Sequence, residues 1–298
     1  MIPRLSGLAL VLGLAACVPA GADAPYQLDA TEVRDIHARA LHRDYRLLVA
    51  LPDSYAGSTR RYPVLFVTDA DYAFPLVRSI VQRLSRHAGT EEVIVVGLSY
   101  ARGDSGMHSR RRDYTPSTPR GHGYRAVMPG RAPVFGEAAA YGRFIADEVF
   151  PAIASRYRAD MRRKVFVGHS YGSLLGLELL LSRPTTFEHY ILGSPSLWFD
   201  RGLMFEREGA YAQAQRDLPA SVYFGIGGRE VLAAGKKRSR SEEEADMVAD
   251  LKEFDAALRS RRYPRLTTTL EVFPGEDHAS VFPFVFTRGL RMYLDKAD

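Results

Sequence analysis

Three residues in a fixed order along the chain could do nucleophilic chemistry: a serine at 170, a carboxylate near 230 and a histidine at 278. Ser170 stands in Gly168-His169-Ser170-Tyr171-Gly172, after the apolar run Val165-Phe166-Val167 and before the helical pattern Ser173-Leu174-Leu175. A serine hydroxyl is a poor nucleophile unless it is held clear of its neighbours beside a base, and a tight strand-to-helix turn achieves that. Gly168 and Gly172 leave room for the strained turn, and the backbone amide of Tyr171, at the helix N-terminus, can face a developing oxyanion. The pentapeptide alone is a weak signal. Its position between a β-branched strand and an apolar helix sets it apart from a plain turn.

Of the eight histidines, only His189 and His278 follow Ser170. His189 lies where the chain is entering the next strand, Tyr190-Ile191-Leu192. His278 sits in the turn-rich loop Pro274-Gly275-Glu276-Asp277-His278-Ala279-Ser280, between an alternating run and a closing amphipathic helix, and is the expected base. For the acid, the strand at 221–226 ends in Gly227-Gly228-Arg229-Glu230, which nominates Glu230. Asp246 and Asp250 compete, but they fall in a helix expected to start at the capping box Ser241-Glu242-Glu243-Glu244, where they read as solvated surface. A serine-histidine dyad oriented by water or backbone would also work.

The elements that position these residues alternate strand and helix. Two strands near 34–39 and 45–51 form an antiparallel pair. They are followed by a strand at 63–68, a helix at 74–87, a strand at 92–98 and a long helix at 135–157. After the serine strand and its helix come strands near 190 and at 221–226, the helix after Ser241, a strand ending at Phe273 and a last helix at 281–294. The alternation predicts the α/β class, with a mainly parallel sheet covered by helices on both faces and ligands at the carboxyl ends of the strands. In Thr68-Asp69-Ala70-Asp71-Tyr72, the amide of Asp71 is the expected second oxyanion donor, while the side chains of Asp69 and Asp71 are expected to shape the turn.

The N-terminus reads as a secretory signal: Met1-Ile2-Pro3-Arg4, an apolar run from Leu5 to Ala16, then Cys17. The run is too short for a bilayer span, and Leu14-Ala15-Ala16-Cys17 has the form of a bacterial lipobox. Cys17, the single cysteine, would then carry a lipid that anchors the protein in the cell envelope, facing the periplasm, with residues 18–30 as a stem and 31–298 as one domain. Forty basic and 35 acidic residues give a mild net charge of +5. The asymmetry is local, since a segment at 100–134 holds seven arginines (Arg102, Arg110, Arg111, Arg112, Arg120, Arg125, Arg131) against Asp104 and Asp113. Nucleic-acid binding is not expected from a non-periodic Gly/Pro-rich loop without a groove-reading helix or aromatic platform. An anionic substrate would suit these arginines, although they would equally serve to solvate the loop or pair with Asp113. Arg112 and Trp198 are candidate substrate contacts, though a lone tryptophan more often packs in the core.

Five motifs together resemble the esterase-D-like branch of the α/β hydrolases, and within it the siderophore (enterobactin/salmochelin) trilactone hydrolases and related esterases. They are Asp69-Ala70-Asp71, Arg112-Asp113-Tyr114-Thr115-Pro116, Gly168-His169-Ser170-Tyr171-Gly172, Ser194-Pro195-Ser196-Leu197-Trp198 and Gly275-Glu276-Asp277-His278. The resemblance extends over most of residues 32–295 and implies ester hydrolysis, with Ser170 and His278 matching the nucleophile and base. Glu230 falls where relatives carry Gly-x-x-Glu. One departure is visible, Ala70 where Asp-Gly-Asp is common. The expected reaction is hydrolysis of a small or siderophore-like ester through an acyl-enzyme, with no metal or organic cofactor. An acyltransferase using the same serine and a non-catalytic binding lipoprotein are the rivals.

Overall fold

The computed structural model describes residues 26–120 and 124–295. The signal segment, Cys17 and residues 18–25 of the stem lie outside them. Strand β1 (Thr31–Ala38) pairs antiparallel with β2 (Arg43–Ala50), and β2 antiparallel with β4 (Ile94–Leu98). The remaining strands, β3 (Tyr62–Val67), β5 (Ala159–His169), β6 (His189–Gly193), β7 (Ala220–Gly227) and β8 (Leu266–Phe273), are joined in parallel. The eight-stranded sheet has the order β1-β2-β4-β3-β5-β6-β7-β8.

Alternation along each strand divides the core between the two faces of the sheet. Val64 and Phe66 point to one side, where they meet α3 (Ala138–Phe144), α4 (Phe150–Arg156), α5 (Tyr171–Ser182) and α7 (Met247–Ser260). Leu65 and Val67 point to the other, against α1 (Ala70–His87) and α8 (Phe282–Leu294). Helix α5 is buried from Tyr171 through Leu181, as expected of a helix that is apolar all round.

Four elements differ from the sequence expectation. The helix expected at 135–157 is interrupted by a π-helical turn at Ile145–Val149, immediately before Pro151, which can neither donate to the ladder nor clear the preceding carbonyls. The arginine-rich segment is not all loop: α2 (Gly106–Asp113) crosses it, with Ser105 as N-cap accepting from the His108 amide at 3.3 Å. A further helix, α6 (Phe199–Ala214), follows the Ser-Pro-Ser motif. Helix α7 starts at Met247 rather than at Ser241, because Asp246 takes the cap and accepts from the Ala249 amide at 2.8 Å. Asp250 is not solvated but fully buried, paired with Arg238.

Candidate active site

Ser170 sits at the junction of β5 and α5 with φ 59° and ψ −119°, a conformation that exposes the nucleophile at the price of backbone strain. Neighbouring glycines make the strain possible. A Cβ on Gly168 would lie 2.4 Å from the Gly172 carbonyl, and one on Gly172 would lie 2.3 Å from Thr68 Oγ1. Ser173, fully buried, donates toward the Gly168 and Gly193 carbonyls at 2.8 Å each, and the Ser170 amide donates to Gly193 O at 2.9 Å.

His278 and Glu230 arrive on two loops stitched together by backbone. Gly228 N donates to Phe273 O at 2.8 Å and Arg229 N to Glu276 O at 3.0 Å, and a Cβ on Gly227 would collide with Glu276 O at 2.6 Å. This contact seats His278 Nδ1 2.6 Å from Glu230 Oε2, with the Glu230 side chain 3% exposed. The other carboxylate oxygen accepts from Ser194 Oγ at 2.6 Å and from the Gly227 amide at 2.8 Å. With Nδ1 engaged, Nε2 is the nitrogen left for a substrate proton. The His278 ring packs against His169 at 4.7 Å between centroids, which sets it beside the nucleophile. The hydroxyl of Ser170 itself meets Ser196 Oγ at 3.4 Å, and among the described residues it makes no hydrogen bond to His278.

His169 is a buried imidazole next to the nucleophile that does not compete as a base. Burial, helped by His278 and Arg110, pushes it down to about 3, so it stays neutral. Asp71 and Tyr171 occupy the first turns of α1 and α5, where amides have no intrahelical acceptor. Ala70 needs no glycine-like backbone, because residue 69, not 70, takes the left-handed conformation (φ 56°).

The structure separates the two candidate substrate contacts. Arg112 is buried, and its guanidinium is occupied by Asp104 at 2.6 Å, by Asp113 at 2.8 and 2.9 Å, and by Ser109 at 3.2 Å, so it braces the insertion instead of facing substrate. Trp198 packs 5.9 Å from the Tyr171 ring and also lines a cavity of about 610 Å³, whose walls include none of Ser170, Glu230 and His278. Four arginines, Arg111, Arg125, Arg201 and Arg240, and three acids, Asp200, Glu242 and Glu243, share that cavity with Tyr124. Most of the insertion's arginines are paired: Arg102 with Asp35, Arg110 with Asp69, Arg120 with Asp200 and Arg131 with Asp104. Arg111 and Arg125 have no carboxylate partner among the described residues. Sequence reasoning missed Ser194, Ser196 and His169 as neighbours of the reacting groups. The Ser-Pro-Ser motif was the available signal, but spacing could not assign its partners.

The chain is similar to known proteins over most of its length. The chain is 26% identical over 284 residues to the ferri-bacillibactin esterase BesA of Bacillus subtilis, covering 92% of this chain and 93% of that protein. It is 29% identical over 254 residues to the siderophore triacetylfusarinine C esterase of Aspergillus fumigatus, covering 78% and 82%. Among solved structures, the siderophore hydrolase EstB from Aspergillus nidulans superposes with a TM-score of 0.76 at 24% identity, over 93% of this chain and 98% of that one. An IroE-like serine hydrolase from Shewanella oneidensis gives 0.73 at 26% identity, over 90% and 82%. The model of the Esterase family, described as "Putative esterase", matches residues 38–291, and the chain therefore belongs to that family and is a carboxylic ester hydrolase.

Proposed function

We propose that the protein hydrolyses siderophore-like esters through a serine acyl-enzyme, tethered to the cell envelope by a lipid on Cys17. The observation that carries the reading is the 2.6 Å contact between Glu230 and His278 Nδ1, made beside a strained serine elbow. His278 removes the proton from Ser170 Oγ as it attacks the acyl carbon, and the amides of Tyr171 and Asp71 receive the oxyanion. Glu230 keeps the imidazole in the productive tautomer and stabilises the imidazolium. His278 then returns the proton to the departing alcohol, and water releases the acid by the same steps in reverse.

The substrate class is supported by the named activities of the relatives and by the cavity beside Trp198. Its aromatic walls suit a phenolic acyl group, and Arg111 and Arg125 suit negative charge. The test compares a tris-catecholate trilactone with neutral p-nitrophenyl acetate. Ser170→Ala is expected to abolish turnover of both, while Arg111→Ala and Arg125→Ala lower kcat/KM for the anionic ester alone, by about 3- to 10-fold each at low salt. Equal rates on both esters with no salt dependence would remove the anionic substrate. Residual turnover in Ser170→Ala would remove the acyl-enzyme.

A further inference from the structure

We propose that Arg110 is a positioning residue for oxyanion stabilisation, holding in register the two backbone segments whose amides face the reacting carbonyl. The inference rests on the serine-esterase reading above and adds a residue to it. Helix α2 passes over the carboxyl ends of β3 and β5, and Arg110 reaches both strands. Its Nε forms an ion pair with Asp69 Oδ1 at 2.9 Å without hydrogen-bond geometry, and its Nη2 donates to the His169 carbonyl at a long 3.4 Å. Asp71 follows Asp69 by two residues and Tyr171 follows His169 by two, so one guanidinium joins the roots of both donor amides. The same group stands 5.5 Å above the Tyr171 ring.

Asp69 shows why a cation is needed there. It is 1% exposed, and its left-handed backbone starts α1. Tyr100 donates to Oδ1 at 2.8 Å, and the Asp69 amide donates to Tyr114 Oη at 3.2 Å. The second oxygen, Oδ2, has no hydrogen-bond partner among the described residues and points toward Gly172, where a Cβ would stand 3.3 Å away. Burial holds this carboxyl above the ordinary carboxylate range, and the charge of Arg110 opposes that rise. Arg110 favours the charged form of this buried carboxyl, and removing the cation leaves the group to protonate or to stand as an uncompensated charge, either of which can shift the loop. A displacement of about 1 Å is enough to weaken a preorganised donor severely. Lysine would restore the charge but not the planar, two-armed bridge.

The test uses the full chain with Arg110→Met, Arg110→Lys, Asp69→Asn and the double variant Arg110→Met/Asp69→Asn. The readouts are kcat and KM on neutral p-nitrophenyl acetate and inhibition by a trifluoromethyl ketone, which forms an oxyanion on Ser170. Arg110→Met is expected to lower kcat on the order of 10- to 100-fold, with KM within about twofold. Ketone affinity should fall by the same factor as kcat/KM. Arg110→Lys should recover part of the loss, and the double variant should be no slower than the worse single one, because both changes break one bridge. A wild-type kcat accompanied only by lower thermal stability would overturn the proposal in favour of a purely structural role. An unchanged kcat with raised KM for an anionic ester would overturn it in favour of direct substrate contact. Should Arg110→Met fail to fold, Arg110→Lys and Tyr100→Phe carry the same kcat and ketone comparison. A wild-type enzyme without ester turnover, or a fully active Ser170→Ala, would instead overturn the serine reading beneath it.

Discussion

The elbow at 165–172 and the insertion at 101–133 both crown the carboxyl ends of the strands, yet they are held by different physics. The elbow is steric and local: two glycines that admit no Cβ, one strained serine, and a buried serine hydroxyl bonding the carbonyls on either side. The insertion is electrostatic and long-range. Its arginines reach Asp35, Asp69 and Asp200, in three other parts of the chain, and its own acids, Asp104 and Asp113, are each shared by two arginines. The difference teaches that a dense run of one charge beside an active site is mostly framework. Among the described residues of the insertion, Arg111 and Arg125 have no carboxylate partner and line the cavity with Trp198.

That comparison is broken or sharpened by experiments on each side of it. The largest effect belongs to the catalytic loops: Glu230→Gln should lower kcat about 10³-fold, roughly 4 kcal/mol of barrier, with little change in melting temperature. A loss under about tenfold would mean that His278 works as a dyad with Ser170. On the insertion side, Arg112→Met should destabilise the fold by about 3 kcal/mol in urea unfolding, because it leaves Asp104 and Asp113 buried beside fewer cations. The kcat of the folded protein should stay within about threefold of wild type. Lost activity at unchanged stability would erase the distinction between framework and catalytic loops.

The smallest effect is a pH dependence in the elbow. His169 sits near 3 in the folded state, below the ordinary histidine value of about 6.5, so between these limits the unfolded chain binds a proton that the folded chain refuses. Its contribution to stability is complete above about pH 6.5 and is lost as pH falls, by up to about 1.4 kcal/mol per pH unit. His189, pushed down to about 4 by burial and Arg163, adds in the same direction. His169→Gln should flatten the acid limb of denaturation midpoints measured from pH 7 to pH 5. An unchanged slope would place the acid sensitivity elsewhere.

Much of the fold was legible because its strands are short apolar runs separated by turn residues, a pattern that burial between two helical layers imposes directly. The interrupted helix was less legible, since Pro151 acts on carbonyls one turn away and the remedy is a local π turn. The start of α7 was misread because the Ser241 box is not used: Asp246, read as solvated surface, caps the helix by accepting from the Ala249 amide. Helix α2 escaped notice because its partners are ionic rather than apolar, so it has no hydrophobic period to read.

Sequence alone placed the Ser170 turn between strand and helix and gave the chain order of Ser170, Glu230 and His278, because glycine sterics and chain topology are local or sequential properties. It also carried the family likeness, spread over five short motifs. Tertiary structure decided which carboxylate meets His278, that Ser194 holds that carboxylate, that Arg112 is framework, and that Arg110 contacts both Asp69 and the His169 carbonyl. The physical reason is that a charge or hydroxyl finds its partner through space, and nothing in a residue's neighbours along the chain records which distant group will fold against it.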